Sequence, residues 1–238
     1  KLAAIGNHFV LDNNVVLTNI GGFRSVRNTG KSLTILRNKK LPELAGLSAI
    51  SFAGGLEIRE NELLVSLAGL EKLTVLTGLL QLVNNPSLAD LSALLGVTSI
   101  KGTLQIVNNP SLVSLHGLDN IDYATVNILT ITDCGKLSDC SVPAICDYLN
   151  FGSNSTLAAN ATGCNSKREV ISSDAACAPN FASQTKSLWK TEQGRWLLAL
   201  AAAAVLAAIG AWFFYRQRQR TRLLQLRIAI AQDIHDEA

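Results

Sequence analysis

Methionine is absent from all 238 residues, and the chain opens on Lys1 inside a repeating pattern. Both observations lead to the expectation of a fragment truncated at each end, for which a missing export signal carries no information. Cysteine is absent until residue 134, after which all five (Cys134, Cys140, Cys146, Cys164 and Cys177) fall within 44 residues. No nucleophile, metal cluster or phosphate loop recurs at catalytic spacing in residues 1–195, and His8 and His116 have no evident sequence partner. An enzyme acting through that stretch is therefore only the third reading. Charge is absent from Trp196 to Tyr215, a run bounded by Arg195 and by Arg216, Arg218, Arg220 and Arg222. A bilayer core of about 30 Å needs roughly 20 apolar residues in a helix, so this run predicts a single membrane span. The arginines after it place residues 216–238 in the cytoplasm and the first 195 outside. A long buried helix of a soluble core is the other reading of such a run. Cysteines grouped on the outer side imply an oxidising compartment. The net charge of +3 is concentrated beside the apolar run, which suits anionic lipid and topology rather than nucleic acid.

A repeat fills what precedes. Aligning the chain on itself gives starts at Phe9, Leu33, Leu56, Leu80, Leu104 and Leu129, spaced by 24, 23, 24, 24 and 25 residues. Each unit reads Leu-x-Ile-x-x-Asn-x-x-Leu-x-x-Leu-x-Gly-Leu, as in LQIVNNPSLVSLHGL from 104 to 118. Pairs such as Leu33 with Ile35 and Leu56 with Ile58 predict a short strand with one face inward, because strand side chains alternate. No unit of this length buries its apolar side alone, so about six stacked coils of a mainly β solenoid are expected. The column Asn14, Asn38, Asn61, Asn85 and Asn109, with Cys134 in the same place, predicts a buried amide ladder that satisfies backbone groups at the bend. Gly22, Gly46, Gly69 and Gly117 form another column, with Ala93 in its fourth place, and predict positive φ or close approach. The outward positions of the strands are Thr34, Glu57, Gln81, Gln105 and Thr130, with Leu36, Arg59, Val83, Val107 and Thr132 beside them. They are the candidate ligand face, and apolar members such as Leu36, Val83 and Val107 are out of place on a purely solvated surface.

The pattern resembles the leucine-rich-repeat superfamily, and more closely the receptor L-domain-like repeats of secreted and surface proteins, over about residues 9 to 178. That resemblance implies a flattened β-solenoid used to bind a protein, peptide or glycan. The repeat itself encodes scaffold and no particular ligand.

After Leu137 the cysteine-rich stretch looks like a C-terminal cap of the same repeat class. Val142 to Asn150 predicts a short helix with Pro143 in its first turn, and Ser166-Lys167-Arg168-Glu169 predicts a capping box for a second. Cys134 occupies the asparagine column and is assigned as the free thiol. Four cysteines allow three connectivities; Cys140 with Cys164 and Cys146 with Cys177 is the working one, and a zinc site is the rival arrangement. Asn154-Ser155-Thr156 and Asn160-Ala161-Thr162 fit glycosylation acceptors in a pathway that performs the reaction.

Beyond the arginines, Leu223, Leu226, Ile230 and Ile234 fall at spacings of 3, 4 and 4, one apolar stripe of a helix suited to a homodimer. Residues 230–237, IAQDIHDE, resemble the phosphoacceptor helix of sensor histidine kinases of the third dimerisation-and-phosphoacceptor subgroup. The resemblance implies that His235 accepts the phosphoryl group and that Asp236 orients it and takes its proton. Arg227 matches the motif's first arginine, whereas Ala229 stands where a second is usual. It further implies a missing ATP-binding domain, with ATP and magnesium as its cofactors and a response regulator as partner. The expected organisation is therefore a repeat solenoid over 1–128, a last coil and cap over 129–178, a linker over 179–195, a span over 196–215 and a signalling helix over 216–238. The function expected is the sensor and anchoring part of a transmembrane histidine kinase at the cell membrane. A non-enzymatic single-pass surface protein for adhesion or ligand binding is the alternative.

Overall fold

The computed structural model describes residues 4–152, 154–173 and 177, all within a compact unit spanning Lys1–Pro179. Its centre is one ten-stranded sheet in which every pairing is parallel. The main line of strands runs β2 (Phe9–Asp12), β3 (Asn28–Leu36), β4 (Phe52–Arg59), β6 (Leu80–Val83), β8 (Gly102–Val107), β9 (Val126–Thr132) and β10 (Ser155–Ala158). Phe9, Leu33, Leu56, Leu80, Leu104, Leu129 and Ser155 stand side by side in its register. Neighbouring strands are thus one turn of the chain apart.

A second, shorter line of pairing precedes the first in each turn. β1 (Ala4–Ile5), the start of β3 and of β4, β5 (Val75–Leu76) and β7 (Ser99–Ile100) form it, and register shifts between Thr29 and Ser32 and between Gly102 and Thr103 mark its junction with the main line. Nothing in the sequence pattern distinguishes these two-residue segments from loop. β10 is likewise a row that the Leu-x-Ile pattern does not mark, since Ser155-Thr156-Leu157-Ala158 lacks it.

Alternation along each strand sends Leu33, Ile35, Leu56, Ile58, Leu80, Leu82, Leu104, Ile106, Leu129 and Ile131 into a continuous core, where each is at most 1% exposed. The inner walls come from Leu41, Leu64, Leu88 and Leu112, then Leu44, Leu67, Leu91 and Leu115, all fully buried. Burying a leucine-sized side chain stabilises by about 1.5–3 kcal/mol, so the stack is held by a row of such contributions shared between adjacent turns.

The bend out of each main strand is polar and fully organised. Asn13, Arg37, Glu60, Asn84, Asn108, Asp133 and Ala159 all have φ between 52° and 60°, the left-handed region. From Asn13 to Asp133 their N–H groups donate to the last strand carbonyl one turn further on, as Arg37 to Arg59 at 3.0 Å and Asn84 to Val107 at 3.0 Å. The next residue is the ladder asparagine. Its N–H donates to the side-chain Oδ1 one turn on, Asn38 to Asn61 at 3.0 Å and Asn61 to Asn85 at 3.1 Å. Its Nδ2 donates to two carbonyls, in Asn85 those of Ile58 at 2.9 Å and Val83 at 3.2 Å. Asn38, Asn61, Asn85 and Asn109 are fully buried, whereas Asn14, in the first described turn, is exposed. Cys134 takes the place without an amide: its Sγ lies 3.4 Å from the Thr132 carbonyl, and burial pushes its thiol pKa up while the Asn109 amide groups pull it down. Asn160 then resumes the pattern, accepting from Cys134 N–H at 3.1 Å and donating to Ile131 at 2.8 Å. At the opposite bend, Gly69 and Gly117 have φ of 111° and 115°, and a Cβ at either would collide with the carbonyl of Leu44 or Leu91 in the preceding turn.

The cap closes the last rows. Cys140 is bonded to Cys164 and Cys146 to Cys177, and Cys134 is free and buried. Helix α1 (Pro143–Phe151) buries Ile145, Cys146, Tyr148 and Leu149, and the Tyr148 hydroxyl lies 3.0 Å from the carbonyls of both Asn127 and Asn154. Helix α2 (Lys167–Ser173) departs from the capping box expected for it. Ser166 Oγ accepts from Glu169 N–H at 3.2 Å, but the Glu169 carboxylate accepts from Gly163 and Asn165 N–H rather than returning to Ser166. The left-handed turn at Gly163 presents those amides first.

The expected fold class, which joined a solenoid of about six coils to a membrane helix, is corrected. The described fold is a parallel multi-strand sheet with two helices, and no helix among the described residues is long and apolar enough to cross a membrane. The longer, α1, has nine residues, which at about 1.5 Å of rise reach under half of a bilayer core of about 30 Å. The run from 196 to 215, the linker before it and the segment 216–238 lie outside the described residues.

Removing a ladder amide leaves several buried backbone groups unpaired at about 1–3 kcal/mol each. Asn85→Ala is expected to lower unfolding free energy by about 3 kcal/mol or more in denaturant titration. Cys134→Asn restores the missing acceptor and donors and is expected to leave the unfolding midpoint unchanged or raised; a fall of similar size to that of Asn85→Ala would contradict the ladder account. Alkylation of the native protein is expected to spare Cys134, and alkylation after non-reducing denaturation to label it alone.

Candidate ligand-binding face

The strand alternation that buries the leucines turns the intervening residues onto one outer face, arranged as three columns with one row per turn. One column is His8, Ser32, Gly55, Leu79, Thr103 and Ile128; the middle one is Val10, Thr34, Glu57, Gln81, Gln105, Thr130 and Thr156; the third is Asp12, Leu36, Arg59, Val83, Val107, Thr132 and Ala158. The sequence-derived face residues Thr34, Glu57, Gln81, Gln105, Thr130, Leu36, Arg59, Val83, Val107 and Thr132 therefore occupy two adjacent columns. Nine of them are half-buried, and Thr34 is only 8% exposed. Neighbouring rows about 4.8 Å apart shield one another's sides, which leaves chiefly the tips of these side chains to meet a ligand.

Charge divides this face. In the rows from β2 to β4 it carries Asp12, Glu57 and Arg59, and Arg37 at the adjoining bend binds Asp12 through Nε at 3.0 Å and Nη2 at 2.6 Å. This contact holds the Arg37 pKa above its ordinary value. The Nε of Arg59 is buried without a hydrogen-bond partner among the described residues. From β6 onward the three columns contain no ionisable group. Leu79, Gln81 and Val83 are followed by Thr103, Gln105 and Val107, then by Ile128, Thr130 and Thr132. Gln81 Nε2 donates to Gln105 Oε1 at 2.9 Å, which aligns the two amides across the rows and leaves one Gln105 amide group and the Gln81 carbonyl for another partner.

Beside the third column the left-handed bends form a shallow groove of about 340 Å³, lined by Asn13, Arg37, Lys39, Glu60, Glu62, Asn84, Pro86 and Asn108. Lys39 is paired with Glu62 at 2.7 Å, which raises the lysine pKa, and Asn108 Nδ2 donates to Asn84 Oδ1 at 2.9 Å. The Leu-x-Ile repeat pattern does not mark this groove. Its signal was the doubled asparagine at 13–14, 84–85 and 108–109, because asparagine is among the few non-glycine residues that enter the left-handed region readily.

No protein family, curated protein or solved structure matches this chain.

The two histidines among the described residues are placed differently, His8 at the head of the first column and His116 away from the face. His116 is paired with Asp119 at 3.1 Å on the surface, and His8 Nδ1 contacts Ser32 Oγ at 2.5 Å. Among the described residues no three His, Cys, Asp or Glu side chains gather as metal ligands. His235 and Asp236 lie outside the described residues, so the structure neither brings them together nor separates them. From β6 onward the face exposes amide, hydroxyl and apolar groups, and its earlier rows add the charges of Asp12, Glu57 and Arg59.

The face assignment is tested by side-chain parity. Val83→Lys and Val107→Lys, on the outer face, are expected to shift stability by about 1 kcal/mol or less. Leu82→Lys, one residue away and pointing into the core, is expected to abolish cooperative unfolding, since a lone buried charge costs about 4 kcal/mol or more. Circular dichroism melts of the three variants decide it; equal loss at positions 82 and 83 would remove the distinction between faces.

Proposed function

We propose that the described residues are the extracytoplasmic ligand-binding part of a cell-surface sensor, related to leucine-rich-repeat receptor domains, and that its signalling output is a histidine kinase. The observation that carries the binding reading is the uncharged half of the sheet face. Three consecutive rows there combine Leu79, Val83, Val107 and Ile128 with the paired amides of Gln81 and Gln105 and the hydroxyls of Thr103, Thr130 and Thr132. Apolar area supplies affinity and a few fixed polar groups supply orientation, the composition expected of a recognition surface. Two disulfides near the end of the sheet support the extracytoplasmic address, because such bonds persist in oxidising compartments. The ligand class is a protein, peptide or glycan.

The kinase part of the proposal rests on the sequence from Ile230 to Glu237 and its resemblance to a phosphoacceptor helix. In that reading a homodimer presents His235 to an ATP- and magnesium-dependent domain, Asp236 holds one ring nitrogen, and the other attacks the γ-phosphate. A response regulator then receives the phosphoryl group. A second reading, a non-enzymatic surface protein for adhesion or ligand binding, is favoured by the fact that every described feature belongs to the scaffold, the cap or the face.

Two measurements test these readings. On peptide and glycan arrays the protein is expected to give discrete binders that Val83→Lys with Val107→Lys weakens at least tenfold; retained binding by that variant would move the ligand off the face. Joined to the ATP-binding domain the kinase reading calls for, and supplied with ATP and Mg²⁺, the chain is expected to acquire an acid-labile, base-stable phosphate. His235→Gln should remove it, and Asp236→Asn should slow its formation by about 10²- to 10⁴-fold. Undiminished labelling of His235→Gln would leave the second reading.

A further inference from the structure

Two sequons begin six residues apart, at Asn154 and Asn160, and the fold treats their asparagines in opposite ways. Asn160 belongs to the ladder. Its Oδ1 accepts from Cys134 N–H at 3.1 Å, and its Nδ2 donates to the carbonyls of Ile131 at 2.8 Å and Cys164 at 3.0 Å. A sugar on that nitrogen replaces one of its two hydrogens, so one of these two donated bonds is lost at a half-buried position. Asn154 is arranged differently. Its main-chain carbonyl is fixed, accepting from Leu129 N–H at 3.0 Å and lying 3.0 Å from the Tyr148 hydroxyl, while the residue itself is exposed. No group among the described residues bonds its side-chain amide. Ser155 and Thr156 beside it are exposed too. β10, which they begin, is the last strand in the sheet order, so no further strand crowds the position.

We propose that Asn154 is a site of N-linked glycosylation and that Asn160, despite carrying the same signal, is not glycosylated in the folded protein. The donor class is a polyprenyl diphosphate-linked oligosaccharide, handled by an oligosaccharyltransferase. Nδ2 of Asn154 bonds to the anomeric carbon, the bond from that carbon to the diphosphate oxygen breaks, the diphosphate departs with the electron pair, and one amide proton passes to a base of the transferase. Transfer takes place on the chain before it has folded. The fold then acts as the selector. A chain modified at Asn154 folds with every described hydrogen bond intact, whereas one modified at Asn160 loses the ladder contacts that join β9 to the cap and is retained with other misfolded chains.

The inference rests on the extracytoplasmic reading, so the experiment supplies that address directly. The full 238-residue chain behind an added secretion signal is expressed in eukaryotic cells, and the fraction that has passed through the secretory pathway, at the surface or in the medium, is analysed by glycopeptide mass spectrometry. The expected result is sugar on the peptide holding Asn154 and an unmodified Asn160. Asn154→Gln and, independently, Thr156→Ala should each remove the single glycan while the protein still reaches the surface. A glycan on Asn160 in that fraction, or an unmodified Asn154, overturns the proposal. Array binding is measured separately, so failure of the ligand-binding reading shows in a different experiment from failure of the modification site.

Discussion

The arrangement depends on how the chain turns out of each main strand without leaving a polar backbone group unpaired. The turn needs a residue in the left-handed region, and immediately afterwards the chain passes into the interior. There each N–H and C=O must find a partner or cost about 1–3 kcal/mol. The buried asparagines meet that demand from inside. One side chain takes an N–H from the turn before and gives hydrogens to carbonyls of two turns, so no turn is complete without its neighbours. The ladder therefore does more than stabilise a bend: it makes the spacing of turns uniform, and uniform spacing is what permits the parallel register from Phe9 to Leu129.

Register in turn creates the face. Because strands align residue for residue, like positions collect into columns, and the composition of a column becomes a property of the surface. The change from Glu57 and Arg59 to Gln81 and Val83 is two substitutions in one repeat, yet on the sheet it is a boundary between a charged field and an uncharged one. The same logic accounts for the cap. At Cys134 the ladder loses an amide, and within six residues Cys140, the first of the four disulfide-bonded cysteines, appears. Covalent closure thus begins where the noncovalent ladder is thinnest, and a cross-link of this kind contributes about 2–4 kcal/mol.

Legibility in the sequence followed the same physics. Leu33, Ile35 and Asn38 recur at a fixed interval because each faces the same demand in every turn, and that recurrence reveals strand, wall and ladder. Segments whose demands are met by backbone alone leave no such trace. Val75-Leu76 and Ser99-Ile100 pair through main-chain groups over two residues, too few for any periodicity. Ser155 to Ala158 joins the sheet as a covering row and needs no inward Leu-x-Ile. Asn160 reads in the sequence only as a glycosylation acceptor, because the cap places it 26 residues after Cys134 rather than 24 and so off the ladder's interval. Arg37 and Glu60 have no preference for the left-handed region and are held there by the turn they share with Asn84 and Asn108. The apolar run from 196 is conspicuous in composition, but hydropathy speaks only to what a segment tolerates as solvent, and the described fold adds nothing to it.

A sheet built one row per turn has a further consequence for how such a surface changes over generations. Insertion or loss of one whole repeat, about 24 residues, extends or shortens the face by a single row without shifting the alignment of any other. A ligand that itself repeats along the stack would then gain or lose one equal increment of contact free energy, and its affinity would change by a constant factor for every row. For such a ligand the length of the stack would be an adjustable dial, turned by duplication of a segment rather than by the slow revision of individual side chains.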